Sequence, residues 1–208
     1  MTPSLTELDA STRALVQLSA VIAAGDEPAL RRAMAAAAPV ADAVHVEELV
    51  LQSYLFCGFP RALNAAREWR RVAPAPAPTA DEAEDFGLAD EWRERGEITC
   101  AAVYGPMYDK LRLNVRDLHP ALDAWMVVEG YGKVLGRPAL DLPRRELCIV
   151  AACAATGQDR QLHSHLHGAL NVGVSLDVLR AAIDALRSII GEDRARSAHL
   201  LLARVAGK

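Results

Sequence analysis

The stretch DLPRRELCIVAACAATGQDRQLHSHLHGALN, residues 141–171, decides the architecture. Asp141 precedes Pro143, and a carboxylate followed by proline in the first turn is a helix start. From Glu146 to Thr156 the residues are small or apolar almost without interruption, and Gly157 supplies the stop. A helix that is apolar nearly all round belongs in the centre of a core. A second helix is expected over Gln158–Asn171. Ser175 then caps a third, whose Leu176, Leu179, Ile183, Leu186 and Ile190 recur every three or four residues and mark one buried face. Gly191 breaks that helix, and a final one runs to about Val205.

The same punctuation recurs toward the N-terminus. Ser11 can cap a helix that Gly25 stops, and Asp26 with Pro28 can open the next. Val46–Phe56 ends at Gly58, and Pro60 opens Arg61–Arg71. Placed without gaps over Arg145–Ala169, the segment Arg13–Ala37 puts Gly25 on Gly157 and Leu30 on Leu162, which reads as a degenerate repeat. Glu146 falls on Ala14 and His165 on Ala33, so the second copy alone carries the chemistry. Between the copies, residues 72–80 read VAPAPAPTA, and alternating proline forbids a helix or a central strand there. Further helices are expected over Asp81–Arg95, Thr99–Leu113 and Pro120–Leu135. No stretch reads as a strand. The fold class is therefore all-α, a helical bundle of two degenerate repeats. The domain reading is an N-terminal repeat over 1–71, a linker over 72–80 and a unit over 81–208 that carries the site.

Composition agrees with this class. Of 208 residues, 51% are hydrophobic, alanine supplies much of that fraction, and aromatic residues are only 5%. Small apolar side chains suit close-packed helices better than sheet faces. With 23 Lys and Arg against 27 Asp and Glu, and no basic block, nucleic acid is not an expected partner. No apolar run approaches the ~20 residues that span a bilayer, so no membrane is expected and the cytoplasm is the expected location. The four cysteines, Cys57, Cys100, Cys148 and Cys153, form no CxxC, and buried, inert thiols are the expectation.

The chemistry-bearing residues concentrate in the second half. His163 and His167 are one helical turn apart and share a face. Two such histidines can chelate zinc, but no HExxH and no nearby cysteine completes a site, so no metal is expected. His165 points roughly the other way and precedes Gly168-Ala169, where small side chains let another helix approach. Glu146 is the only acidic residue in the central apolar helix. A buried carboxylate must be paired or shifted in pKa. His165 is the candidate partner, and the pair can relay protons near neutral pH. Spacing alone leaves two alternatives open, a satisfied core ion pair and a glutamate near the surface at a helix start.

The segment GKVLGRPALDLPRRELCIVAACAATGQDRQLHSHLHGALNVGVSLDVL, residues 132–179, resembles the carboxymuconolactone decarboxylase family. The likeness lies in the G-RP-LD lead-in, the R-E-L helix start and H-x-x-G-A-L-x-x-G-V. It spans roughly residues 125–200 and extends more loosely to 46–67. The resemblance implies an alkyl hydroperoxidase D-like fold and a homo-oligomer, first a trimer, with a dimer or hexamer as alternatives. It also implies acid/base chemistry on a small carboxylated or lactone-like substrate without a cofactor. Glu146 and His165 match the glutamate and histidine of the related hydroperoxidase branch at the same separation. Gln158 and Gln161 stand where that branch has its CxxC thiols, which argues against peroxidase chemistry. In the decarboxylase reading His165 donates the proton and Glu146 orients it. Arg137, Arg144 or Arg145 holds a carboxylate, and Gly130, Tyr131 and Gly132 shape the pocket wall. A non-catalytic helical binding or assembly module is the third reading.

Overall fold

The computed structural model describes residues 4–207, and every element in it is helical apart from one isolated bridge. The all-α expectation holds. In chain order the helices are α1 (Ala10–Ala24), α2 (Glu27–Ala37), α3 (Ala43–Cys57), α4 (Phe59–Val72), α5 (Ala89–Tyr104), α6 (Tyr108–Leu118), α7 (Pro120–Trp125), α8 (Leu142–Thr156), α9 (Asp159–Asn171), α10 (Leu176–Ala185), the single turn α11 (Arg187–Ile190) and α12 (Glu192–Ala206). After α7 the chain continues through Met126–Leu135 in π-helical form.

The chain divides into two compact units, Met1–Pro76 with Ala139–Lys208, and Ala77–Pro138. Residues 1–76 thus share a compact unit with α8 and α9, where the proline-rich tract suggested a division, and residues 77–138 form the other unit. Burial is the reason. α8 is apolar all round, so it needs neighbours on every side, and it finds them in α1, α3, α9, α10 and α12. α1 lies against α8, and Ser19 Oγ on α1 donates 2.7 Å to the carbonyl of Cys148 on α8. Leu15, Leu18, Ile22, Met34, Leu49, Trp69, Leu140 and Cys148 form one buried cluster. Near the N-terminus, Leu5 N–H donates to Gly173 O and Ser175 N–H to Leu5 O, which ties the entering chain to the turn between α9 and α10.

Helix starts follow side-chain capping. Asp9, Asp26, Asp42, Asp141 and Ser175 each accept from a backbone N–H of the turn they open. The cap of α1 is thus Asp9, two residues before the expected Ser11; the Ser11 hydroxyl instead accepts from the N–H of Asp42. In the Ala77–Pro138 unit, Glu82–Glu84 and Phe86–Leu88 are single 3₁₀ turns, and α5 starts only at Ala89. The expected Thr99–Leu113 helix is broken at Gly105-Pro106, because Gly105 takes φ 51° and proline brings no N–H. α5 packs against the π-helical stretch so closely that side chains are excluded. A Cβ on Gly132 would stand 1.9 Å from Trp92 O, and one on Gly96 would stand 2.1 Å from Val127 O.

Candidate active site

Two helices of the first unit build the site. Pro143 and the Asp141 cap start α8, and Glu146 follows at the start of its second turn with a side chain fully withdrawn from solvent. The preceding residue fixes the rotation of that turn. Arg145 is wholly buried; its guanidinium donates 2.6 Å to Glu48 Oε2, 3.1 Å to Gln52 Oε1 and 3.0 Å to Leu140 O. A buried guanidinium with this many acceptors is pinned, because losing any one leaves charge or a donor unsatisfied in low dielectric. α9 runs back along α8 and brings His165 to Glu146.

His165 Nδ1 lies 2.8 Å from Glu146 Oε2, with His165 5% exposed and Glu146 0%. With Glu146 accepting from Nδ1–H, Nε2 is the imidazole's second nitrogen. Phe56, from the end of α3, meets the imidazole edge to face at a centroid distance of 5.7 Å. Glu146 Oε1 is buried with no hydrogen-bond partner among the described residues. Native interiors rarely leave such an atom unsatisfied.

Burial disfavours thiolate at the cysteines nearby. None of the four cysteines is part of a disulfide among the described residues. Burial pushes the Cys153 thiol up to about 12, with Glu146 and Cys57 adding to the rise. Burial likewise pushes Cys57 up to about 11, against the opposing pull of Arg61. Cys148 is pushed up to about 12 by its burial. A redox thiol needs thiolate at working pH, which these environments disfavour. Gln158 precedes the first turn of α9 and Gln161 lies within it, both exposed. Sequence reasoning treated Cys57 and Cys153 only as core thiols and passed over Phe56; each comes close to the pair only through tertiary packing.

Residues 120–204, which include both Glu146 and His165, match the model of the carboxymuconolactone decarboxylase family. This segment belongs to the carboxymuconolactone decarboxylase family. The chain is also 30% identical over 139 residues to Peroxisomal protein 2 of Schizosaccharomyces pombe. That alignment covers 66% of this chain and 64% of the relative, so the chain spans less than two thirds of the relative's length.

The arginines assigned to a carboxylate on the decarboxylase-family resemblance are already engaged. Arg137 makes a two-pronged pair with Asp81, both contacts at 2.9 Å. Arg144 donates 2.7 Å to Asp141, 3.2 Å to Asp9 and 2.9 Å to Thr12 Oγ1, tying the start of α8 to the start of α1. Arg145 is consumed by Glu48 and Gln52. Tyr131 is buried in the π-helical stretch against Tyr104. Tyr131 and Arg137 belong to the Ala77–Pro138 unit, whereas Arg144, Glu146 and His165 belong to the other. His163 and His167 stack edge to face at 4.9 Å, and among the described residues no group of three metal-ligating side chains forms. Among them, too, no helix is long and apolar enough to cross a membrane.

Proposed function

We propose that this chain is an acid/base enzyme of the carboxymuconolactone decarboxylase family that acts, without a cofactor, on a small carboxylated or lactone-like substrate. The observation that carries the reading is the buried Glu146–His165 pair in which Glu146 Oε1 lacks a partner. A core ion pair kept only for packing would satisfy both carboxylate oxygens. Here one oxygen holds the histidine and the other is available to a substrate donor or a transferred proton. In the decarboxylation step the bond from the substrate's α-carbon to its carboxylate breaks, carbon dioxide leaves, and the electron pair remains as an enolate. Protonated His165 then delivers its Nε2 proton to that carbon and becomes the neutral imidazole that Glu146 steadies through Nδ1–H. In this reading Arg144 gives up its present carboxylate partners for the substrate's, whereas Arg137 belongs to the other unit and stays on Asp81.

A non-catalytic module is the second reading, favoured by that prior engagement of both arginines. Peroxidase chemistry is disfavoured by the exposed glutamines at the thiol positions and by the raised thiols. A homo-oligomer, first a trimer, and a cytoplasmic location remain part of the proposal. Light scattering against the 22.4 kDa chain mass tests the first. The relative's name makes peroxisomes the comparison for the second. The deciding experiment is turnover on a panel of small carboxylated lactones. Unaltered protein and His163→Ala should turn over alike and His165→Ala should not. Equal rates for all three, or none from the unaltered protein on any member, favours the module.

A further inference from the structure

A cavity of about 640 Å³ opens between α1 and α2 and is closed on one side by Ile189. Its place in the chain gives it meaning. A shift of 132 residues carries α1, Ala10–Ala24, onto α8, Leu142–Thr156, and the start of α2, Glu27, onto the start of α9, Asp159. A shift of 133 carries α3, Ala43–Cys57, onto α10 and α11, Leu176–Ile190, and Phe59 onto Glu192. The caps correspond as well. Asp9 maps to Asp141 and Asp42 to Ser175, all four capping through their side chains. Gly58 (φ 78°, ψ 161°) maps to Gly191 (φ 80°, ψ 162°), a conformation open to glycine. Under the same shifts Glu146 maps to Ala14, His165 to Ala33 and Phe56 to Ile189. Ala14, Ala33 and Ile189 all line the cavity. The space that the acid/base pair and its aromatic neighbour occupy in one copy is thus matched by an open, alanine-walled hollow in the other.

The hollow carries its own charge. Arg13 and Arg32 line it, both exposed, and neither makes a hydrogen bond or ion pair among the described residues. Arg13 is the counterpart of Arg145, and the counterparts of its partners Glu48 and Gln52 are Ala181 and Ala185. The guanidinium that is neutralised inside one copy is left unmatched beside the other. An apolar wall with two unpaired guanidinium groups fits an anion with an apolar body.

We propose that this cavity is a second small-molecule site, the counterpart of the Glu146–His165 site without its acid/base groups, which binds a carboxylate bearing an apolar body and performs no chemistry on it. Octanoate is the probe, titrated by calorimetry into the full chain, with 1-octanol as the uncharged control. Octanoate should bind once per chain and more tightly than octanol. The double variant Arg13→Ala/Arg32→Ala should weaken it by about tenfold or more, while octanol should be unaffected. Ala33→Leu should block both ligands, with Ala36→Leu, on the same wall, as the alternative if the first unfolds. His165→Ala should leave octanoate binding unchanged. Absence of binding at millimolar octanoate, or binding indifferent to both the arginines and the alanine wall, overturns the proposal. So does binding that vanishes with His165→Ala, which would place the ligand at the other site. A fall in oligomer mass on Ala33→Leu would show instead that a second copy of the chain covers the hollow.

Discussion

The coupling between His165 and Glu146 is open to measurement without knowing the substrate. In His165→Ala the carboxylate loses its 2.8 Å partner while remaining 0% exposed, and its other oxygen has no partner to fall back on. Truncating one partner of a buried charged pair costs about 3–5 kcal/mol. Glu146→Gln keeps a carbonyl that can accept from Nδ1–H. It loses only the charge assistance, the difference between about 1.5–3 kcal/mol for a charged hydrogen bond and about 1 for a neutral one. The double variant leaves no unpaired carboxylate at this position, so it should be more stable than the sum of the single effects implies. The cycle should show a coupling of at least about 1 kcal/mol. Urea unfolding followed by far-UV circular dichroism at constant pH supplies the four stabilities, and unchanged slopes would support comparing them. A coupling below about 0.5 kcal/mol, the usual scatter for independent sites, would refute the claim that the two groups act as one buried unit.

On a competent substrate, His165→Ala should lower the rate by on the order of 10²–10⁴, and His163→Ala and His167→Ala should change it little; a progress-curve assay decides, and equal losses at all three would move the site to the half-buried face of His163 and His167. Cys148 and Cys153, pushed up to about 12 by burial, are almost wholly protonated at pH 8, so a thiol reagent should label them at least about 10²-fold more slowly in the folded chain than in urea, with the rate rising as pH climbs. Mass spectrometry of the labelled peptides checks this, and fast labelling of either folded thiol would show a thiolate that burial does not account for. Gly132→Ala places a methyl 1.9 Å from Trp92 O, so the backbones of α5 and the π-helical stretch must part. A loss of about 1–3 kcal/mol or more is expected in thermal or urea melts, against almost none for Gly130→Ala, whose nearest neighbour is 3.8 Å away.

The legible parts of this protein were local. Asp141, Pro143 and Gly157 bound α8 within the sequence, and the unbroken apolar composition between them marks the helix that others must surround. A lone glutamate in that helix demands a partner, and helical phase alone turns His165 away from His163 and His167. Capping, glycine breaks and periodicity are properties of a few consecutive residues, so the chain states them directly. Distance along the chain hid the rest. The proline-rich tract looks like a domain boundary because proline rules out helix there, yet a break in secondary structure says nothing about which surfaces bury one another. Only packing decided that α1 completes the core around α8, that residues 77–138 stand as a separate unit, and that Arg144 spends its charge on Asp9 and Asp141. Only packing put Phe56 on the imidazole, Glu48 on Arg145 and a hollow beside Ala14 and Ala33. Each joins residues on helices distant in sequence, and their meeting depends on how apolar faces fit together.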